Sequence, residues 1–153
     1  MKKQVTFKNN DLKIAGDLYL PNGMDNSQKY PAIMCVHTGG GVKEQTSRLY
    51  AQKLSEKGFI DLAFDVSHQG ESEGKLRYLE DPTSRVEDAR CAVDYLATLS
   101  FVDADKMGAV GICAGDRYAI SAAQTDHRIK AVAGISTVDI GRTFILDMYN
   151  ICP

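Results

Sequence analysis

Five consecutive residues, Gly111-Ile112-Cys113-Ala114-Gly115, carry the sharpest chemical signal in this sequence. Met107 to Ile112 reads as a buried strand, and a helical pattern follows Cys113 directly. A cysteine held between two glycines at such a strand-to-helix turn matches the G-x-nucleophile-x-G elbow, with sulfur in place of serine oxygen. The glycines have a steric reason, since side chains there would collide with the neighbouring strand and helix. The helix that starts here aims its free N–H groups and positive dipole end at the sulfur, which favours thiolate. The Ala114 N–H is then one expected oxyanion donor, with a second from the loop after the strand that ends at His37. The bland alternative is a small residue in a tight turn. The pattern is short, and its strand–turn–helix setting is what favours the elbow.

A thiol nucleophile needs a proton acceptor, and the chain has three histidines. His37 ends a strand expected beside the Cys113 strand. His68 lies on the loop after the next strand, at the same functional edge. His127 follows the helix after the elbow and belongs at the opposite end. For catalysis by a histidine, His68 ranks ahead of His37. The other cysteines read as inert: Cys35 is mid-strand, Cys91 is on a helix and Cys152 is in the tail. No C-x-x-C pair is present, so neither a zinc knuckle nor a thioredoxin motif is available, and no metal or cofactor is expected. Asp103-Ala104-Asp105 reads as a solvated turn, since it lacks the glycine and distal glutamate of a calcium loop.

The elements that must position these residues alternate regularly. Val5 to Phe7, Ile14 to Leu20, Ala32 to Val36, Phe59 to Phe64, Met107 to Ile112 and Ala131 to Ile135 read as strands. Helices are expected from about Lys43 to Lys57 with Gly58 as stop, from Asp81-Pro82 to about Leu99, and after Cys113. Continuous apolar strands alternating with helices predict an α/β, doubly wound, mostly parallel sheet of about six strands. Ligands of such sheets bind at the carboxyl ends of the strands. The loops His37 to Lys43, Asp65 to Ser72 and Ile112 to Gly115 are therefore where function is expected.

Composition narrows the classes. The chain has 153 residues, 44% hydrophobic and 25% charged, which suits one domain over residues 1–153. Net charge is −2 with no basic block, so neither nucleic acid nor an anionic membrane is an expected partner. No apolar run approaches the ~20 residues of a membrane span, and no signal-peptide pattern opens the chain. Reduced thiols and a cytoplasmic location are the expectation.

His37-Thr38-Gly39-Gly40-Gly41-Val42-Lys43-Glu44-Gln45, Ala63-Phe64-Asp65, Gln69-Gly70-Glu71-Ser72, Asp81-Pro82, Val86-Glu87-Asp88, Ala92 to Leu96 and Gly111 to Gly115 together resemble the dienelactone hydrolase-like branch of the α/β-hydrolases. Thr125 to Ala131 and Asp139 to Arg142 continue the resemblance, which runs from about residue 5 to 142. It implies an eight-stranded, mostly parallel sheet and hydrolysis of a small-molecule ester or lactone. Cys113 would be the nucleophile, with Ala114, Gly39 and Gly40 forming the oxyanion hole. It also implies a structural role for His37 in shaping the oxyanion loop, and makes Glu44 a candidate contact of the thiol. Family members run to about double this length, with the catalytic aspartate and histidine after later strands. The chain is therefore expected to be truncated and impaired, with residues 143–153 unassigned. Asp116-Arg117 also depart from the small residues usual after the elbow; the carboxylate opposes thiolate and the guanidinium favours it.

Two further expectations follow. A strand, the glycines at 39–41, a helix and Asp65 imitate a dinucleotide-binding unit, but the G-x-G-x-x-G spacing is absent; nucleotide binding and a non-catalytic hydrolase fragment stand as rival readings. The last strand, Ala131 to Ile135, becomes an exposed edge, so a homo-oligomer paired through that edge is expected.

Overall fold

The computed structural model describes residues 1–25 and 27–142. The strands are β1 (Lys2–Asn9), β2 (Leu12–Tyr19), β3 (Tyr30–Val36), β4 (Ile60–Phe64), β5 (Val102–Ile112) and β6 (Ile129–Ile135). The helices are α1 (Thr46–Glu56), α2 (Pro82–Thr98) and α3 (Ala114–Thr125). One six-stranded sheet has the order β1-β2-β4-β3-β5-β6. β1 and β2 form an antiparallel hairpin through Asn10, whose φ of 50° is one that asparagine tolerates. β2 meets β4 antiparallel, and β4, β3, β5 and β6 run parallel. This is the expected α/β architecture, with six strands among the described residues.

The apolar strands are covered on both faces. One face carries α2 and α3, where Met34, Val36, Leu62, Phe64, Met107 and Ala109 pack against Ala89, Val93, Leu96, Ala119 and Ala122. On the other, α1 places Ala51 against Cys35, Ala63, Val110 and Ile112. α2 starts as expected: Asp81 caps it by accepting from the Ser84 N–H at 3.0 Å, with Pro82 in the first turn. β6 is paired only with β5 among the described residues, so its outer edge is unpaired there.

Two local boundaries differ from expectation. α1 begins at Thr46 rather than Lys43 because Lys43 is drawn into the interior. Its N–H donates to Asp65 Oδ1 at 2.7 Å and its ammonium meets Asp65, Glu44 and Glu71. β5 begins at Val102, so Asp103 to Asp105 lie in the strand rather than a separate turn. They form a bulge: Tyr30 pairs with Val102 but Ala32 with Met107, and Asp103 Oδ1 accepts the Asp105 N–H within it. The tail from residue 143, including Cys152, lies outside the described residues.

Candidate active site

Cys113 sits between β5 and α3 with φ 55° and ψ −117°, a left-handed conformation uncommon for any residue bearing a Cβ. Both flanking glycines are sterically required. A Cβ on Gly111 would run into the Asp116 backbone in the first turn of α3, and one on Gly115 into the carbonyl oxygens of Val36 and His37. The tight turn thus presses α3 against the end of β3. It leaves the thiol half-buried, with no side-chain cap competing for the helix N-terminus.

The β3 loop approaches from the other side. Gly39 abuts Ala114, since a Cβ on it would lie 3.5 Å from the Ala114 Cβ, and Gly40 turns the chain at φ +65°. Gly39, Gly40, Cys113 and Ala114 line one cavity of about 300 Å³ together with Gln69, Tyr78, Glu80, Tyr118, Val138 and Ile140. The structure therefore brings four of the sequence-selected residues to one place.

The two histidines stand apart from that cavity. His37 is buried, and both ring nitrogens serve the backbone. Nε2 accepts the Val66 N–H at 3.2 Å, so Nδ1 carries the proton and donates to Thr38 O at 2.7 Å. Burial, then the nearby Arg85 charge, lowers its pKa to about 4, so the ring is neutral at neutral pH. With both nitrogens occupied, His37 has no free lone pair to take a proton from sulfur. This corrects its candidacy as a base and fits the structural role that the resemblance implied. His68 occupies a left-handed position at φ 70°, with its ring pressed against Gly74. Its N–H bonds Glu73 O and its carbonyl accepts from Tyr78, so it shapes the β4–α2 loop. Neither histidine lines the cavity.

Glu44 pairs with the Lys43 ammonium at 2.5 Å and is absent from the cavity wall. Glu44, Asp65 and Glu71 cluster closely enough to hold a cation, and the buried Lys43 ammonium supplies that charge. Asp65 is fully buried, bonded to the Lys43 and Glu71 backbone N–H groups as well as to that ammonium. It offers no face to a ribose, which removes the residue on which the nucleotide reading leaned.

Sequence reasoning missed the polar network behind the cavity, of which Glu80 and Tyr118 reach the lining. Arg85, in the first turn of α2, is fully buried and grips Glu80 through NH1 at 2.8 and 3.0 Å. Tyr118 donates its hydroxyl to Glu80 Oε1 at 3.0 Å, and the guanidinium lies 4.7 Å over its ring. Burial, then the Glu80 charge, pushes the Tyr118 hydroxyl up to about 12. One signal was available: Arg85 and Asp88 fall on the helix face shared with Ala89, Ala92 and Leu96, where an isolated charge demands a partner.

The sequence profile of the Dienelactone hydrolase family matches residues 14–138. The chain belongs to the dienelactone hydrolase family. The uncharacterized protein YcjY of Escherichia coli (strain K12) is 48% identical over 147 residues, covering 94% of this chain and 48% of that protein. The crystal structure of the hypothetical protein PA2218 from Pseudomonas aeruginosa superposes with a TM-score of 0.90 at 40% identity, over 94% of this chain and 44% of that one. The thiohydrolase aneE of Aspergillus aculeatus is 33% identical over 124 residues, 81% of this chain and 37% of its own. The chain thus spans about half the length, or less, of the relatives it matches. Within the family frame, the elbow, the β3 loop and the cavity between them lie at the carboxyl ends of β5 and β3.

Proposed function

We propose that this chain carries the nucleophile and oxyanion elements of a cysteine-dependent acyl hydrolase acting on small esters or lactones. The observation that carries the reading is Cys113 at positive φ on the N-terminus of α3, in one cavity with Ala114, Gly39 and Gly40. Cys113 attacks the acyl carbon as thiolate, a C–S bond forms, and the negative charge that develops on the carbonyl oxygen is met by the Ala114 N–H and the Gly39–Gly40 loop. Collapse breaks the C–O bond and the alkoxide leaves as the alcohol, taking up from water the proton that the thiol gave to water; water then cleaves the thioester to the carboxylic acid and restores the thiol. Tyr78, Tyr118, Val138 and Ile140 give the cavity an apolar wall with Glu80 as its one ionisable carboxylate, which suits an uncharged acyl group. A relative named a thiohydrolase supports acyl chemistry of this kind.

With His37 and His68 both off the cavity wall, a base contribution of about 10²–10⁴-fold is missing from the described residues. The 153-residue chain therefore acylates faster than it deacylates. No helix among the described residues is long and apolar enough to cross a membrane. The test is rapid mixing with p-nitrophenyl acetate. A burst of at most one p-nitrophenol per chain is expected, with acetyl on the peptide containing Cys113 and little steady state. No burst, or acetyl elsewhere, refutes the assignment; sustained turnover that is lost in Cys113→Ala refutes the missing base.

A further inference from the structure

Behind the cavity residues Glu80 and Tyr118 lies a buried arginine that also reaches the loop opposite the thiol. Arg85 NH2 donates to the His37 carbonyl oxygen at 2.6 Å, while NH1 holds both oxygens of Glu80. Tyr118, from α3, supports the pair from the nucleophile side through its hydroxyl on Glu80 and its ring beneath the guanidinium. Arg85 thereby joins three pieces: the end of β3, the segment before α2, and the helix that begins at the elbow.

A peptide group is planar, so fixing a carbonyl oxygen also fixes the N–H across the bond. Arg85 holds the oxygen of the His37–Thr38 peptide and so sets the direction of the Thr38 N–H. The His37 ring holds the oxygen of the next peptide, Thr38–Gly39, through Nδ1 at 2.7 Å and so sets the Gly39 N–H. Two successive peptide planes at the start of the oxyanion loop are thus clamped from their carbonyl sides. The same His37 carbonyl lies against Gly115, where only a glycine lets the loop and the elbow come this close. We propose that Arg85, braced by Glu80 and Tyr118, is the positioning residue that pre-orients the oxyanion loop for attack by Cys113. The proposal rests on the acyl hydrolase reading above. A single ammonium cannot replace the planar fork, because one donor arm serves His37 and the other Glu80.

The experiment compares two reactions of the same thiol. Iodoacetamide alkylates Cys113 by displacement and develops no oxyanion; p-nitrophenyl acetate acylates it through one. In Arg85→Lys, acylation is expected to fall about 10–100-fold, the scale of losing or misplacing one donor, while alkylation stays within about twofold of wild type. Glu80→Gln preserves the shape of the brace and is expected to shift the same ratio in the same direction to a smaller extent, so the test survives a poorly folding arginine variant. Circular dichroism and a thermal melt verify that each variant is folded. Acylation and alkylation falling together in folded protein, or an unchanged ratio in both variants, overturns the proposal. A wild-type chain that alkylates at Cys113 but never acylates there overturns the acyl hydrolase reading itself, and the positioning role with it.

Discussion

The elbow stores backbone strain, and substituting its cysteine should expose it. Cys113 has φ 55° and ψ −117°, where a Cβ is crowded and glycine is not. Holding a non-glycine residue in such a region costs about 1–3 kcal/mol. Glycine returns about 0.5–1 kcal/mol of that through the greater freedom of its unfolded chain. The expected net gain for Cys113→Gly is about 1–2 kcal/mol, or roughly 2–8 °C in Tm for a domain of this size. Cys113→Ala is the necessary control, since it removes the same sulfur but keeps the Cβ and hence the strain. Neither substitution breaks a side-chain hydrogen bond, because Cys113 makes none within the described residues. The difference between the two variants therefore isolates the backbone term. Thermal unfolding at one pH and one concentration measures it, and p-nitrophenyl acetate confirms that both variants have lost acylation. A glycine variant that melts at or below the alanine variant would show that no strain is held at this turn.

Other outcomes follow from burial and charge. In the folded protein, iodoacetamide should label Cys113 before Cys91, whose thiol burial and the Glu87 charge push up to about 11, and long before the fully buried Cys35; peptide mapping over time checks the order. Asp61 is fully buried beside the Cys35 sulfur at 3.6 Å, and burial raises its carboxyl well above the ordinary range. A raised folded-state pKa means that stability is full below the unfolded value near ~4 and falls as pH rises through the folded one. Asp61→Asn, which cannot ionise, should therefore stabilise the fold at pH 7 and flatten that fall; urea unfolding at pH 4 and pH 7 decides it. The outer edge of β6, unpaired among the described residues and with Ala131, Ala133 and Gly134 exposed, is expected to associate with a second copy. Light scattering at tens of micromolar tests this, and a clean monomer rules it out.

The fold was legible wherever one element carries its own signal. Ala32 to Val36 is a continuous apolar run, and Phe59 to Phe64 is apolar but for the buried Asp61, because β3 and β4 are covered on both faces. Asp81-Pro82 marks a helix start through chemistry contained within four residues, and Gly58 ends α1 at φ +93°. The boundaries that moved were decided by distant partners. Lys43 follows a glycine run and looks like a solvated first turn. It is buried because Asp65 and Glu71, 22 and 28 residues along the chain, meet its ammonium. Asp103 to Asp105 look like a turn because their carboxylates face solvent, yet β3 pairs on either side of them.

The same distinction separates the visible part of the site from the hidden part. Gly111, Cys113 and Gly115 could be read because their constraint is local: three residues, one turn, and two places where a Cβ has no room. Gly39 and Gly40 could be placed opposite them because parallel strands put consecutive carboxyl-end loops side by side. The Arg85 fork obeys no local rule. Its partners lie 5 residues back at Glu80 and 48 back at His37, and Tyr118 reaches Glu80 from 38 residues ahead. Each looks ordinary alone: a glutamate before a helix cap, an arginine in a first turn, a tyrosine on an amphipathic helix. The type of His37 suggests proton transfer, but its position commits both ring nitrogens to the backbone, in keeping with the loop-shaping role that the resemblance implied. In this fold the proposed nucleophile is a property of one turn, whereas the orientation of the loop proposed to receive the developing charge is a property of three elements meeting at one buried guanidinium.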